Sequence, residues 1–410
     1  MKMNAIIGGV GMTRFGKHMD TGLKALGAEA VRAAIADAGI QIGDIEAAFV
    51  GNAAAGLVTG QESIRGQVIL RSAGIGKIPV VNVENACASA STALHQACAL
   101  VSAGLYDTVL ALGVEKLYHE DKKKSFAAFN GAVDVEALQE ILERLRAGAR
   151  EGGAAKATEG AGESRSMFMD IYASGARAHM KRYGTTVQQF AQVSAKNSLH
   201  GSLNPRAQFR ERLSVEDVLA APMIAEPLTR PMCSPIGDGA AAVIVISQRK
   251  AAALGLTSPV RVVSCVLHSG WDHGPDEPGT VELCSREAYA EAGAGPQDFD
   301  VVECHDASAP AEIMAYESLG MCAKGEGGRL VASGDTQLGG RVPVNTSGGL
   351  LRKGHPVGAT GIAQIVELTE QLQGRSGDRQ VAGAKLGLAH NGGGSIGNDA
   401  AAMCVTILAR

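Results

Sequence analysis

One pattern in this chain recurs. Residues 30–50 read AVRAAIADAGIQIGDIEAAFV and residues 284–304 read CSREAYAEAGAGPQDFDVVEC. The two align without a gap: Ala38-Gly39 falls on Ala292-Gly293, Asp44 on Asp298 and Ile45 on Phe299. Each copy reads as a helix stopped at glycine, a turn carrying an aspartate, then an apolar strand. Two further matches follow in the same order. VVNVENA (80–86) leads to Cys87 and a helical run over 90–103, while RVPVNTS (341–347) leads to a glycine-rich stretch, His355 and a helical run over 360–373. DTVLALGVE (107–115) and QVAGAKLGLAHN (380–391) then read as buried strands. A pattern used twice in order implies two α/β halves, and strands alternating with helices imply mostly parallel sheets covered by helices.

The first half is interrupted. After His119-Glu120-Asp121-Lys122-Lys123-Lys124, DVEALQEILERLRAGA (134–149) has Val135, Leu138, Ile141, Leu142 and Leu145 at helical spacing, which predicts an exposed amphipathic helix. EGGAAKATEGAGES (151–164) lacks apolar residues and reads as a mobile segment. Residues 167–227 return to helices, and GDGAAAVIVIS (237–247) reads as a tight turn and the buried strand completing the first half. The expected organisation is a first half over 1–118 plus 226–250, an inserted domain over 119–225, and a second half over 258–410.

At 410 residues the chain is too long for one ordinary core. Its net charge of −4, from 38 basic and 42 acidic residues, gives no reason to expect nucleic acid or an anionic membrane surface as partner. The 8 cysteines form no CxxC pair, and the default reading is reduced thiols in the cytoplasm. The segment from Met1 to Met12 reads as a first strand rather than a signal peptide, and no apolar run approaches bilayer length.

Chemistry concentrates at four places. Cys87 lies where a strand turns into an Ala/Ser helix, with only small residues around it; a helix N-terminus favours a thiolate, and small neighbours admit a bulky acyl group. GHPVGATG (354–361) presents His355 at a second helix start, with Gly354 and Gly358 permitting turns and Gly361 close helix packing. Packing of the halves about a pseudo-twofold axis would bring Cys87 and His355 together, and a Cys–His pair is a means of activating a thiol. VVECHDAS (301–308) sets His305 at a strand end, and LGLAHNGGGSIG (386–397) sets His390 at another, followed by amides free to bind an oxyanion. A Cys/His metal site competes, but the spacings match no zinc pattern. GGVGMTRFG (8–16) lacks dinucleotide-binding phasing, and Lys122–Lys124 reads as a solvated run rather than a phosphate contact.

These segments together resemble the thiolase superfamily. ENACASAS resembles its nucleophilic-cysteine segment, NTSGGLLRKGHPVGATG its histidine segment and GDGAAAVIV the strand closing its first half. AHMKRYGTTVQQFAQVSAKN (178–197), NPRAQF (204–209), CHDAS and AHNGGG are similar to the sterol-carrier-protein type. The likeness leaves out roughly residues 119–165. It implies a five-layer α/β/α/β/α fold of two similar halves with a loop domain inserted in the first, assembled as a homodimer or a dimer of dimers. By position it implies Cys87 as the acyl-accepting nucleophile, His355 as its base, His305 as a helper at the enolate oxygen, and the amides of Cys87 and Gly392 as a second oxyanion hole. Coenzyme A and acyl-CoA are the implied substrates, with no metal. The family's second cysteine is missing: the place before the C-terminal glycines holds His390, and the place after His-Asp holds Ala307, while Cys304 should point away. His390 is the candidate for the vacant acid/base role. Relatives of this kind include a benzoylsuccinyl-CoA thiolase, thiolases of the archaeal mevalonate route and steroid side-chain aldolases, and some work with a small OB-fold/zinc-ribbon partner; residues 119–165 read as a partner-binding or CoA-covering element or as an inert surface insertion. The expected activity is thiolysis of a 3-oxoacyl-CoA, or its reverse, on an aromatic or branched substrate. A retro-aldolase and a catalytically silent scaffold subunit are the alternatives.

Overall fold

The structure, a computed structural model, describes residues 3–151, 166–274 and 276–410. The strands are β1 (Ala5–Met12), β2 (Ala47–Gly51), β3 (Val80–Val83), β4 (Thr108–Glu115), β5 (Met223–Ala225), β6 (Leu228–Thr229), β7 (Gly239–Ser247), β8 (Val260–Ser269), β9 (Val301–Glu303), β10 (Leu386–Gly393) and β11 (Ala402–Ala409). Apart from the small β5–β6 pair, they form one continuous ladder in the order β3-β2-β4-β7-β1-β8-β11-β10-β9. Its midpoint is the antiparallel β1–β8 pairing, where Ile6 faces Arg261. Either side of that pairing the order is the same. β1, β4, β2 and β3 run one way with β7 reversed between β1 and β4. In the second half β8, β10 and β9 run one way with β11 reversed. The expected mostly parallel sheets are thus present, each holding one reversed strand.

The repeat has a physical basis in both copies. The helix Leu23–Ala38 ends at Gly39 with φ 65°, and the helix Thr280–Ala292 ends at Gly293 with φ 66°, a left-handed conformation that glycine adopts at no steric cost. Asp44 then accepts from the Gln41 N–H at 2.8 Å, and Asp298 accepts from the Gly295 N–H at 2.7 Å. The same helix stop and the same carboxylate-braced turn feed β2 and β9.

The copies part at the expected strand 341–347. There the structure has a single parallel bridge, Val302 to Val344. Pro343 has no N–H to give a ladder, and Asn345 adopts a left-handed φ of 56° that ends the extended run. Asn345 instead turns its side-chain oxygen onto the Cys304 N–H at 2.9 Å.

Two helices, Ser89–Ser102 and Thr360–Gln373, fill the layer between the sheets. Ala90, Leu94 and Val101 of one and Ile362, Val366 and Leu372 of the other share a core with inward-facing Val109, Val243, Val262, Val301 and Leu408 of the strands. Each Leu, Ile or Val buried there contributes about 1.5–3 kcal/mol. The helix Leu23–Ala38 covers the outer face of the first sheet, and Thr280–Ala292 that of the second. Helix, sheet, shared helices, sheet and helix make the five expected layers.

Between β4 and β7 lie the helices Leu138–Glu151, Phe168–Tyr183 and Val187–Leu203. The expected amphipathic helix is present, with Leu138, Ile141, Leu142 and Leu145 half-buried and Glu143, Arg144 and Arg146 exposed. The segment read as mobile (151–164) lies outside the described residues apart from the end of that helix.

Candidate active site

Cys87 sits in a one-turn helix, Ala86–Ala88, that runs straight into Ser89–Ser102. Ala86 has φ 47°, a left-handed backbone that costs a residue with a β-carbon about 1–3 kcal/mol. Local hydrogen bonds hold it: Ala86 N–H to Glu84 at 2.6 Å, Asn85 N–H to Ser89 Oγ at 2.9 Å, and Asn85 Nδ2 to Thr92 Oγ1 at 2.9 Å. The end of β10 packs against this turn, where a β-carbon on Gly393 would run into the Asn85 carbonyl.

His355 comes from the other half. Asp306 accepts from the Leu350 N–H at 2.7 Å and from Asn197 Nδ2 at 2.8 Å, which ties the turn before His355 to the strand end carrying His305. From the first half, the Glu115 carboxylate accepts from the Gly358 N–H at 3.0 Å. It also takes the amides of Ala53, Ala54 and Lys116 and the side chain of Asn52. Of the glycines read as turn formers, Gly354 has φ 110°, but Gly358 has no left-handed backbone. A β-carbon on Gly358 would lie 2.9 Å from Glu115 Oε2, so it is glycine for close approach. Gly361 lies against Ser91 and Asn391, where the two central helices meet.

The four predicted side chains converge. Cys87 Sγ and one ring nitrogen each of His305 and His355 lie within 4.8 Å of one another. The His305 and His355 rings stand edge to face with centroids 5.3 Å apart. His390 is linked to them through the His305 N–H, which donates to His390 Nδ1 at 3.2 Å. All four line one cavity of about 930 Å³, together with Gly392, Gly393 and Gly394.

Hydrogen bonds fix the ring protons. Ser91 Oγ donates to Asn391 Oδ1 at 2.8 Å, which leaves the Asn391 amide nitrogen facing His305 Nδ1 at 2.9 Å. His305 Nδ1 therefore accepts, and its Nε2 carries the proton. Thr360 Oγ1 donates to the Pro356 carbonyl at 3.2 Å and so accepts from His355 Nδ1 at 2.9 Å. His355 Nε2 is left with a lone pair, the form of a base.

Burial dominates the electrostatics. It pushes the Cys87 thiol from an ordinary 9.0 up to about 12, with Glu115 adding to the effect and the Gly394 N–H opposing it. Burial also pulls His355 down to about 3, helped by the Lys353 ammonium, and His390 down to about 4. His305 is lowered by burial and by its two histidine neighbours. The expectation that the helix start favours a thiolate is corrected: the resting pair is a neutral thiol beside a neutral imidazole. A helix terminus is worth about 0.3–1 kcal/mol, less than one tenfold step in thiolate population.

His390 lies inside β10 rather than at its end. Its carbonyl accepts from Gln364 Nε2 at 3.1 Å, and Gly392 lies two residues further along the same strand. Cys304 points away as expected, buried with Asn345 Nδ2 against its sulfur at 3.4 Å, while Ala307 lines the cavity. Lys122–Lys124 are exposed at the start of a short helix, with Lys122 at the cavity. Several cavity residues come from segments the sequence did not mark as functional: Met169, Tyr172, Arg230 and Cys233, while Phe129 comes from the 119–165 insertion. Tyr172 is held well above the ordinary phenol range by burial and by Cys87 and Asp306. The spacing of Phe168 and Tyr172, one helical turn apart, is the one sequence sign of that wall.

A duplicated five-layer α/β fold carrying a Cys–His pair at the starts of its two central helices defines a thiolase-type acyltransferase. The model for the thiolase N-terminal domain matches residues 5–249, and the model for a thiolase C-terminal domain-like unit matches residues 279–409. The chain belongs to the thiolase family. It is 40% identical over 405 residues to an acetyl-CoA acetyltransferase of Methanothermobacter thermautotrophicus, covering 98% of each chain. It is 33% identical over 390 residues to the benzoylsuccinyl-CoA thiolase subunit BbsB of Thauera aromatica, covering 93% of this chain and 92% of that one. It is 34% identical over 395 residues to human sterol carrier protein 2, covering 93% of this chain and 68% of that one. Among solved structures, the Ltp2-ChsH2(DUF35) aldolase shares the fold, with a TM-score of 0.77 at 24% identity over 98% of this chain and 97% of that one. No helix among the described residues is long and apolar enough to cross a membrane.

Proposed function

We propose that this enzyme cleaves a bulky 3-oxoacyl-CoA with coenzyme A, or runs the reverse condensation, through an acyl group on Cys87. The observation that carries the reading is the meeting of Cys87, His305 and His355 within 4.8 Å in one cavity. His355 Nε2 takes the thiol proton as sulfur attacks the 3-oxo carbon, so the thiolate exists only as it reacts. The amides of Cys87 and Gly392 hold the oxyanion at that carbon, and His305 Nε2–H holds the enolate oxygen of the departing acyl-CoA.

A cavity of about 930 Å³ walled by Phe129, Phe168, Met169 and Tyr172 suits an aromatic or branched acyl group of the benzoylsuccinyl kind. The DUF35 component named with the structural neighbour supports a small OB-fold partner as part of the working enzyme. A homodimer or dimer of dimers in the cytoplasm completes the reading.

The test is acetyl-CoA incubation followed by mass spectrometry of the Cys87 peptide. The expected result is an acetyl adduct that free coenzyme A removes and that Cys87→Ser lacks. Carbon–carbon cleavage that proceeds without coenzyme A and without an adduct would replace this reading with a retro-aldolase. Neither adduct nor cleavage would leave a scaffold subunit.

A further inference from the structure

His390 occupies the place where an α-carbon acid was expected, and its surroundings decide what it can do there. A backbone N–H is always a donor. The His305 N–H points at His390 Nδ1 at 3.2 Å, so that nitrogen must accept and its lone pair is engaged. The ring proton of the neutral imidazole then sits on Nε2. Nε2 is buried without any hydrogen-bond partner, in a residue 5% exposed that lines the substrate cavity. The bond from the His305 N–H holds the ring, and Gln364 Nε2 holds the backbone beneath it through the His390 carbonyl at 3.1 Å. Exchanging tautomers would strand the His305 N–H. A buried donor left without an acceptor is costly, and a cavity that keeps one is built for a ligand oxygen.

We infer that His390 is a fixed hydrogen-bond donor to an oxygen of the bound acyl-CoA, and that it carries no proton in the reaction. The inference rests on the acyl-Cys87 reading above. It leaves His355 as the one proton carrier, and the steps balance with one. The Cys87 S–H proton passes to His355 Nε2 as the sulfur–carbon bond forms. The carbon–carbon bond breaks, and the α-carbon of the leaving enolate takes that proton from His355. The thiol of coenzyme A then gives its proton to His355, its sulfur bonds the acyl carbon, and the acyl–Cys87 bond breaks. Cys87 sulfur takes the proton back. No second thiol is needed, consistent with alanine at position 307.

Two near-isosteric variants separate donor from acid and from scaffold. Glutamine can place an N–H near the position of Nε2, and asparagine can place an oxygen near the position of Nδ1 to satisfy the His305 N–H. The probe is thiolytic cleavage of acetoacetyl-CoA and of a 2-substituted 3-oxoacyl-CoA by the full chain, with Cys87 acetylation from acetyl-CoA measured alongside. The expected result is that His390→Gln retains cleavage within about tenfold of the parent. His390→Asn should lose about a hundredfold or more while still folding and acetylating. If Gln and Asn fall together with acetylation intact, the donor assignment is overturned and a proton-carrying ring is required. If Asn retains cleavage as well as Gln does, the unpartnered N–H touches no substrate and the inference is equally overturned. If the parent itself shows no Cys87 adduct, the acyl-enzyme reading has failed, which is a separate result.

Discussion

Ser91 and Asn391 stand 300 residues apart, one in each half of the duplicated chain, and the Ser91 hydroxyl donates to the Asn391 side-chain oxygen at 2.8 Å. That bond decides which way the Asn391 amide faces, and hence which nitrogen of His305 carries a proton. Ser91→Ala should therefore act on the chemistry more than on the fold. The expected loss is about 1 kcal/mol of stability, typical of one hydrogen bond. The kcat for cleavage should drop about tenfold with little change in KM, because the His305 Nε2–H is asked for only as charge develops. Steady-state kinetics beside a urea melt would check the split; a loss confined to stability would refute it.

Gly361 tests the same contact from the side of the second central helix. Its α-carbon faces Ser91 and Asn391, and a β-carbon there would overlap Ser91 Oγ. Both helices are buried between sheets and have little room to move apart. Gly361→Ala should cost about 1–3 kcal/mol, the usual range for overpacking a tight core. It should reduce cleavage further than Ser91→Ala does, since it also displaces the start of the helix that follows His355. Thermal unfolding and activity measured on the soluble fraction would show both.

How much of this could be read from the residues alone follows from what each one depends on. Gly39 with Asp44, and Gly293 with Asp298, are local devices: a helix stop and a braced turn need no distant partner, so the duplication is legible. Cys87 and His355 are legible because each opens a helix set up by its own neighbours. Phe129, Met169 and Tyr172 reach the cavity only through the packing of the inserted segment, which no spacing announces. The thiolate expectation failed for a related reason. The helix start is a local feature, whereas the burial that outweighs it comes from residues distant in sequence, among them Ala53, Leu117, Phe129 and Val357. Glu115 is the residue most open to an earlier reading, as a carboxylate ending the otherwise uncharged strand TVLALGVE.

The neutral resting pair has a measurable signature. With the Cys87 thiol at about 12 and His355 at about 3, the thiolate fraction rises with pH across the whole neutral range. Alkylation of Cys87 by iodoacetamide should accelerate about tenfold per pH unit from pH 7 to 9, because the thiolate is the nucleophile and its population is far from saturated. A thiolate–imidazolium pair would instead give a rate already flat over that interval. The kcat/KM for cleavage should show no ionisation of the pair between pH 5 and 9, since both partners keep their working protonation there. Rates collected over that range on the intact protein decide between the two.

Glu115 offers a case in which stability and reactivity should move in opposite directions. Its carboxylate is wholly buried and accepts from five N–H donors, among them Gly358 beyond His355 and Ala54 from the first half. Five donors around two oxygens leave nothing to accept a carboxyl proton, so the arrangement fits the ionised form, although burial alone raises its pKa. Glu115→Gln puts an NH2 group where an acceptor stood, leaving at least one amide unpaired. The expected cost is about 1–3 kcal/mol, seen as a lower urea midpoint. The same negative charge is one of the forces holding the Cys87 thiol up, so removing it should lower that pKa and raise iodoacetamide reactivity at pH 7 in the protein that remains folded. Glu115→Ala should be less stable still, with more amides stranded. Should both variants alkylate no faster than the parent, the coupling between Glu115 and Cys87 is absent, and burial alone holds the thiol.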